Sequence, residues 1–328
     1  MDMSPSVDNL VLPRPGAALE AAQGPIPGPT ETAFTQTFGT LLPPASFLHT
    51  ATGKAAYYEI LPSSSGASSD TPSRVLLVHG VQTPALGMLP LARILQTSFP
   101  RAHMVLVDLW GHGLSDTPVV PHNADLFHQL LDALLDRLGW SSAHLIGFSF
   151  GGSLTSGYVS RRPERIQRFT LVAPAGLLRS SDLSAEEQGH MRGEDESAAS
   201  KWVLEWLEGG QLVVPADWRQ RVDKGEVVAE AVREWQMRHH PGHSASVVAI
   251  VRDGGVFDTH AEFAKAARTG IPSLVVLGEL DGLCTEQQLR EHGFANVSVV
   301  PQVGHGVVRD RAQEVAALVT EFWTKLTT

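Results

Sequence analysis

Short, nearly continuous apolar runs alternate along most of this chain with longer stretches of helical spacing. Arg74–Val78 and residues 104–107 are apolar at almost every position, the pattern of strands covered on both faces. Residues 86–98 between them have helical spacing. Residues 123–138 set Leu126, Phe127, Leu130, Leu131, Leu134, Leu135 and Leu138 on one stripe, which predicts an amphipathic helix. Residues 143–146, 169–172 and 274–277 and Val297–Val300 read as four further strands. Lys54–Ile60 reads as part of an early hairpin, and residues 311–326 as a closing amphipathic helix. Such alternation predicts an α/β fold, a mostly parallel sheet with helices on both faces.

The alternation stops between residues 177 and 270. That stretch holds Trp202, Trp206, Trp218 and Trp235, four of the seven tryptophans, and a polar segment at 186–200, with no buried-strand pattern. It reads as a helical insertion between two sheet strands. The organisation expected is therefore an arm at 1–45, a core made of 46–176 and 271–328, and an insertion at 177–270. The arm is rich in Pro, Gly, Ala, Ser and Thr. Its Pro-Gly and Pro-Pro runs sustain neither helix nor ladder, because proline lacks the donor and glycine lacks restraint. Residues 1–30 are expected to be poorly ordered or to lie along the surface. They lack the basic start and continuous apolar stretch of a secretory signal, no window has the apolar length of a membrane span, and Lys325-Leu326-Thr327-Thr328 carries no address. A cytoplasmic protein is the expectation.

Composition narrows the function. A chain of 328 residues, 43% hydrophobic and 18% charged, can bury a sizeable core. One cysteine, Cys284, excludes an internal disulfide framework and a thiolate zinc cluster. The net charge is −10 and no run of Lys or Arg exceeds a pair such as Arg161-Arg162, so neither nucleic acid nor an anionic membrane surface is an expected partner. A homo-oligomer is left open.

Gly147-Phe148-Ser149-Phe150-Gly151-Gly152 directly follows one predicted strand and precedes a helical pattern. In that setting Gly-x-Ser-x-Gly has a mechanical meaning: a sharp strand-to-helix turn exposes the serine, and the flanking glycines admit close backbone. The helix behind Ser149 also aims its positive end at the same point. A hydroxyl needs a base, and the base an orienting acid. Residues 274–277 run into Gly278-Glu279-Leu280-Asp281-Gly282, and Val297–Val300 into Pro301-Gln302-Val303-Gly304-His305-Gly306. Asp281 and His305 thus leave parallel strands at their carboxyl ends, the edge where open α/β sheets build their sites. Glu279 is the second choice for the acid. Pro174-Ala175-Gly176 offers no carboxylate after the preceding strand, and Asp258 needs no role beyond a helix cap.

Val78-His79-Gly80-Val81-Gln82 follows the first long strand. The backbone N–H groups of Val81 and Phe150 are the expected donors to a developing oxyanion. His79 and His112 read as buried residues that hold loops, with Ser115 or Asp116 capping the next segment. These pieces, His79-Gly80, Asp108-x-x-Gly111-x-Gly113-x-Ser115, Gly147-x-Ser149-x-Gly151, Gly278-Glu279-x-Asp281 and Gly304-His305, occur in order over residues 74–309, and together the chain resembles the α/β-hydrolase fold superfamily. The resemblance implies an eight-stranded, mostly parallel sheet and a Ser149–His305–Asp281 triad. It also implies a helical cap at the insertion and a cofactor-free hydrolase acting on an ester, lactone, thioester or related acyl compound. Leu283-Cys284 after Asp281 departs from the bulkier or proline-containing loops of many members, and the arm lies outside the resemblance.

The function expected is a serine hydrolase cleaving a carboxylic ester or lactone of a hydrophobic small molecule through an acyl-enzyme on Ser149. The alternatives are carbon–carbon bond hydrolysis, perhydrolysis or acyl transfer on the same residues, or a slow-turnover ligand receptor that keeps them. Serine at the elbow argues against epoxide opening and dehalogenation, which an aspartate there would suggest. Gln82, Phe148, Trp202, Trp206, Trp218 and Trp235 are the candidate substrate contacts, with packing of the cap's own core as the competing use of the tryptophans. His239-His240-Pro241-Gly242-His243 has closely spaced imidazoles, but Pro and Gly mark a loop and no carboxylate or thiol lies close, so no metal is expected.

Overall fold

The apolar runs become the middle of a sheet because both faces must be covered. The structure is a computed structural model describing residues 10–17, 23–63, 73–192 and 195–325. Its strands are β1 (Ser46–His49), β2 (Lys54–Ile60), β3 (Arg74–Val78), β4 (His103–Val107), β5 (Ala143–Phe148), β6 (Ile166–Val172), β7 (Ser273–Gly278) and β8 (Val297–Val300). They form one eight-stranded sheet in the order β1-β2-β4-β3-β5-β6-β7-β8. β2 pairs antiparallel with β1 and β4, and every other pairing is parallel. The strand order reverses beside β3 and β5, so the loops leaving their carboxyl ends open at the switch point where α/β sheets bind ligands.

Alternate residues of the central strands feed different layers. Val75 and Leu77 join one core cluster with Leu91, Leu95, Val315, Val319 and Trp323, supplied by α2 (Leu89–Ser98) and α11 (Ala312–Lys325). Leu76 and Val78 join a second with Leu130, Leu134, Leu154 and Val159, supplied by α3 (Ala124–Arg137) and α4 (Phe150–Arg161). The leucine stripe of α3 is buried as its spacing predicts, and Asn123 caps that helix by accepting from Leu126 N–H. Residue 326 of the predicted closing helix lies outside the described residues.

The amino-terminal segment differs from its compositional reading. Residues 1–9 and 18–22 lie outside the described residues, but α1 (Glu31–Phe38) forms between the Pro-rich stretches, where eight consecutive residues contain neither Pro nor Gly. Thr30 caps it, and Phe34 and Phe38 are buried in the first cluster. Ile26 bridges Thr117, and Gly28 N–H donates to the Asp116 carboxylate at 3.0 Å. A Cβ on Gly28 would fall 2.5 Å from the Ser115 carbonyl oxygen, so only glycine allows this approach.

Between β6 and β7 run α5 (Ala185–Arg192), α6 (Glu196–Glu208), α7 (Trp218–Asp223), α8 (Ala229–His239), α9 (His243–Asp253) and α10 (His260–Arg268). α10 lies against α4, with Phe263 and Ala266 in the second cluster, and acts as the crossover helix that a parallel β6–β7 pair requires. At the neck, Leu178 bridges Phe257. Asp258 does not cap α10. Thr259 occupies the cap position of α10, while the Asp258 carboxylate accepts from Ser180 N–H at 3.2 Å and from the Ser180 hydroxyl. Among the described residues, no helix is long and apolar enough to cross a membrane.

Candidate active site

β5 ends at Phe148 and α4 begins at Phe150, which leaves Ser149 alone to make the turn. It does so at φ 54°, ψ −119°, a conformation strained for a residue with a Cβ. The flanking glycines show why the turn closes. A Cβ on Gly147 would lie 2.2 Å from the Gly151 carbonyl oxygen, and one on Gly151 would lie 2.2 Å from that of Val78. The loop after β3 also comes up against the serine: a Cβ on Gly80 would sit 2.7 Å from Ser149 Cβ. Ser149 is 8% exposed, so its hydroxyl is presented from a largely dry turn.

The loops after β7 and β8 bring the other two side chains to that hydroxyl. His305 Nε2 is 2.9 Å from Ser149 Oγ, and His305 Nδ1 is 2.9 Å from Asp281 Oδ2. The Asp281 side chain is 2% exposed and its Oδ1 accepts from Leu283 N–H at 3.1 Å, so both carboxylate oxygens are engaged. Glu279 turns elsewhere and accepts from Gln302 N–H at 2.8 Å. Cys284 is buried beside Asp281, and burial pushes its thiol up to about 12, keeping it neutral there. Phe148 lies along the imidazole, ring centroids 5.1 Å apart at 31°, with the Arg309 guanidinium 5.4 Å from the Phe148 ring. Arg309 carried no signal in the sequence, because its approach to Phe148 depends on how the β8 loop folds back.

The Val81 N–H is aimed by its neighbours. His79 Nδ1 donates to the Gly80 carbonyl at 2.6 Å, and that carbonyl shares a peptide plane with the Val81 N–H. In a trans peptide the two groups point opposite ways, so drawing the oxygen toward His79 turns the N–H to the other side. The N–H groups of Val81 and Phe150 meet no acceptor among the described residues, Phe150 being at the first position of α4. His79 Nε2 accepts from Leu109 N–H at 2.9 Å, and burial lowers its pKa to about 4, consistent with the neutral ring this bond requires. His112 behaves alike: Nδ1 donates to the Trp110 carbonyl at 3.0 Å and Nε2 accepts from Gln82 N–H at 3.1 Å. Ser115 and Asp116 cap no helix. Ser115 accepts from Ala56 N–H, and Asp116 from the N–H groups of Gly28 and Lys54, tying β2 and the amino-terminal segment to this loop.

The remaining residues singled out in the sequence divide between two surroundings. Trp202 and Trp206 are half-buried and stacked, centroids 6.0 Å apart at 19°, and Trp206 continues onto Phe257 at 5.5 Å. Trp235 instead meets Phe34 edge-on at 5.5 Å, and Trp218 meets Phe38 at 6.0 Å, so both pack against α1. Gln82 is buried at φ 66°, its carbonyl held by Gln236 of α8, a contact no local sequence pattern announces. His240 Nε2 and His243 Nδ1 each bond a backbone carbonyl, those of Ser115 and Gly111, at 2.8 Å. Among the described residues no three His, Cys, Asp or Glu side chains group as metal ligands.

Known proteins with the same arrangement of strands are numerous. The haloalkane dehalogenase DatA of Agrobacterium tumefaciens superposes with a TM-score of 0.65 at 19% identity, over 88% of this chain and 99% of that one. The enol-lactonase of Burkholderia xenovorans does so with a TM-score of 0.61 at 20% identity, over 85% and 100%. In sequence, the acetyltransferase component of the acetoin cleaving system of Pseudomonas putida is 26% identical over 228 residues. That match covers 68% of this chain and only 56% of the relative. The monoacylglycerol lipase ABHD6 of Rattus norvegicus is 26% identical over 281 residues, 81% of this chain and 79% of the lipase. Residues 74–311, from the first residue of β3 to the residue before α11, match the alpha/beta hydrolase fold family, and the chain belongs to that family.

Proposed function

We propose that the protein is a serine hydrolase that cleaves a carboxylic ester or lactone of a hydrophobic small molecule through an acyl-enzyme on Ser149. One observation carries this reading. Ser149 Oγ, His305 and the buried Asp281 carboxylate form an unbroken hydrogen-bond chain with two spacings of 2.9 Å, and the N–H groups of Val81 and Phe150 meet no acceptor among the described residues. In the reaction, His305 Nε2 takes the Ser149 proton as Oγ attacks the acyl carbon. Asp281 holds Nδ1–H and stabilises the imidazolium, while Val81 and Phe150 N–H receive the oxyanion. The imidazolium protonates the leaving alkoxide, and water then releases the acid by the reverse proton route. Relatives named as monoacylglycerol lipases, and fold neighbours named as an enol-lactonase and a carboxylesterase, favour an acyl carbon as the electrophile. The half-buried Trp202–Trp206–Phe257 ladder favours an apolar substituent on it.

The test is covalent labelling with a fluorophosphonate, followed by turnover of a panel of chromogenic esters and lactones. Wild type is expected to label once per chain and to turn over short-chain esters. Ser149→Ala is expected to lose labelling and about 10⁴-fold or more in kcat with the fold intact. Turnover surviving in Ser149→Ala refutes the nucleophile, and labelling without turnover across the panel favours a receptor.

A further inference from the structure

Gln82, the residue after the Val81 donor, holds a left-handed φ of 66° without being glycine, so its surroundings must hold it there. Its N–H donates to His112 Nε2 at 3.1 Å. Its carbonyl accepts from the Gln236 side-chain amide, and the other end of that amide, Oε1, accepts from Gly113 N–H at 2.7 Å. A ring of contacts therefore closes through the loop after β3, the loop after β4 and helix α8. The Val81 carbonyl is occupied as well, accepting from Thr83 N–H at 2.9 Å. With the Gly80 carbonyl on His79, each peptide plane from Gly80 to Gln82 has a hydrogen bond fixing its tilt. Two of those anchors come from the core, and the third belongs to the insertion.

We propose that Gln236 is a positioning residue for the oxyanion site: through its one amide the insertion sets the tilt of the Val81–Gln82 turn, so that seating of the insertion and catalytic competence are coupled. The proposal rests on the serine-hydrolase reading above and assigns a further component to it. Glutamine suits the task because one planar group both donates and accepts, which neither a carboxylate nor an apolar side chain can do. Gln236 is fully buried, so water cannot replace either bond without opening the contact between α8 and the loop at 111–115. His240, at the end of α8, and His243, the first residue of α9, fasten the insertion to that same loop through Ser115 and Gly111, but neither bonds Gln82. They anchor the helix, while Gln236 alone of the three reaches past the anchor to the donor loop.

Three variants of the full chain separate anchoring from positioning, with p-nitrophenyl butyrate turnover and fluorophosphonate labelling as readouts. Gln236→Glu keeps an acceptor for Gly113 and loses the donor to Gln82; Gln236→Leu loses both. Each is expected to lower kcat about 10–100-fold with KM within about twofold of wild type, the cost of a misplaced oxyanion donor. Labelling is expected to slow but still reach one per chain, since Ser149 and His305 keep their contact. His240→Gln is expected to lower the melting temperature with kcat within about twofold of wild type. Unchanged kcat in Gln236→Glu, a loss confined to KM, or labelling that stops short of one per chain overturns the proposal. So does an equal fall in kcat for His240→Gln, which would make the effect one of general anchoring. If Gln236→Leu fails to fold, Gln236→Glu decides alone. Should Ser149→Ala retain turnover, the hydrolase reading itself fails; should Ser149→Ala be inactive while the Gln236 variants match wild type, only the positioning role does.

Discussion

The two ends of the insertion use the same residue types to opposite effect. In the α8–α9 half, Trp235 is 5% exposed and wedged against Phe34 and Phe38 of α1. Gln236, His240 and His243 are buried there too, each bonded to the loop at 111–115. In the α5–α6 half, Trp202 and Trp206 remain half-buried and stacked on each other, with His190 stacked on Trp202 at one end and Phe257 tilted against Trp206 at the other. Polar side chains of that half bond within it, as in the Ser184–Glu187 pair and the Asp195 cap, while Glu208 ties it to Arg233 of α8 at 2.9 Å. A tryptophan thus says little by itself. Edge-on packing with full burial marks a fixture, whereas a half-open stacked face leaves an apolar surface that a ligand can cover.

The largest expected effect tests the fixture. Trp235→Ala should destabilise the fold by about 3–5 kcal/mol, because it empties a space closed by two phenylalanines. Urea unfolding checks this, and a loss below about 1 kcal/mol would show that α1 is not held by the insertion.

Acid should act next, also through the fixed half. Burial lowers the pKa of His240 to about 4 and of His243 to about 3, with His79 and His122 beside them at about 4. An unfolded imidazole takes up its proton near pH 6.5, so between 6.5 and about 4 the unfolded chain binds more protons than the folded one. The stability contributed by these neutral rings is complete above pH 6.5 and is lost as pH falls toward 4. Asp108 and Glu208 work in the opposite sense, since burial raises both carboxyls, Asp108 to about 6, but they are two groups against several. Melting temperature should therefore fall steadily from pH 7 to pH 4, and a double His240→Gln, His243→Gln variant should show a shallower slope. Equal slopes would remove these two rings from the account.

The smallest effect distinguishes the open half. Trp206→Ala should leave the melting temperature within a few degrees of wild type and raise KM for a long-chain or aromatic ester by about 3–10-fold, the value of one aromatic contact. A stability loss matching that of Trp235→Ala would erase the difference between the halves.

Much of this architecture is legible in the chain because its signals are local. The leucine stripe of α3 and the apolar runs of β3, β5 and β7 recur as buried elements, and Gly147 and Gly151 mark the turn at Ser149 through steric demands that act over a few residues. The amino-terminal segment is less legible, because its average composition conceals eight helix-compatible residues, Glu31–Phe38, whose burial depends on Trp235 two hundred positions away. Arg309 and Gln236 are invisible for a related reason. Neither sits in a motif, and each matters only through the group that lies across a loop from it.

The sequence by itself determined the parallel sheet, the order of the strand-end loops and the residue types at their tips, since periodicity and turn chemistry are written within short windows. Tertiary structure alone decided that His305 meets Ser149 and Asp281 at 2.9 Å, that Glu279 turns away, and that an amide on α8 grips the Gln82 carbonyl. Hydrogen bonds depend on distance and angle to within fractions of an ångström, and between residues far apart in the chain that precision exists only once the layers have packed.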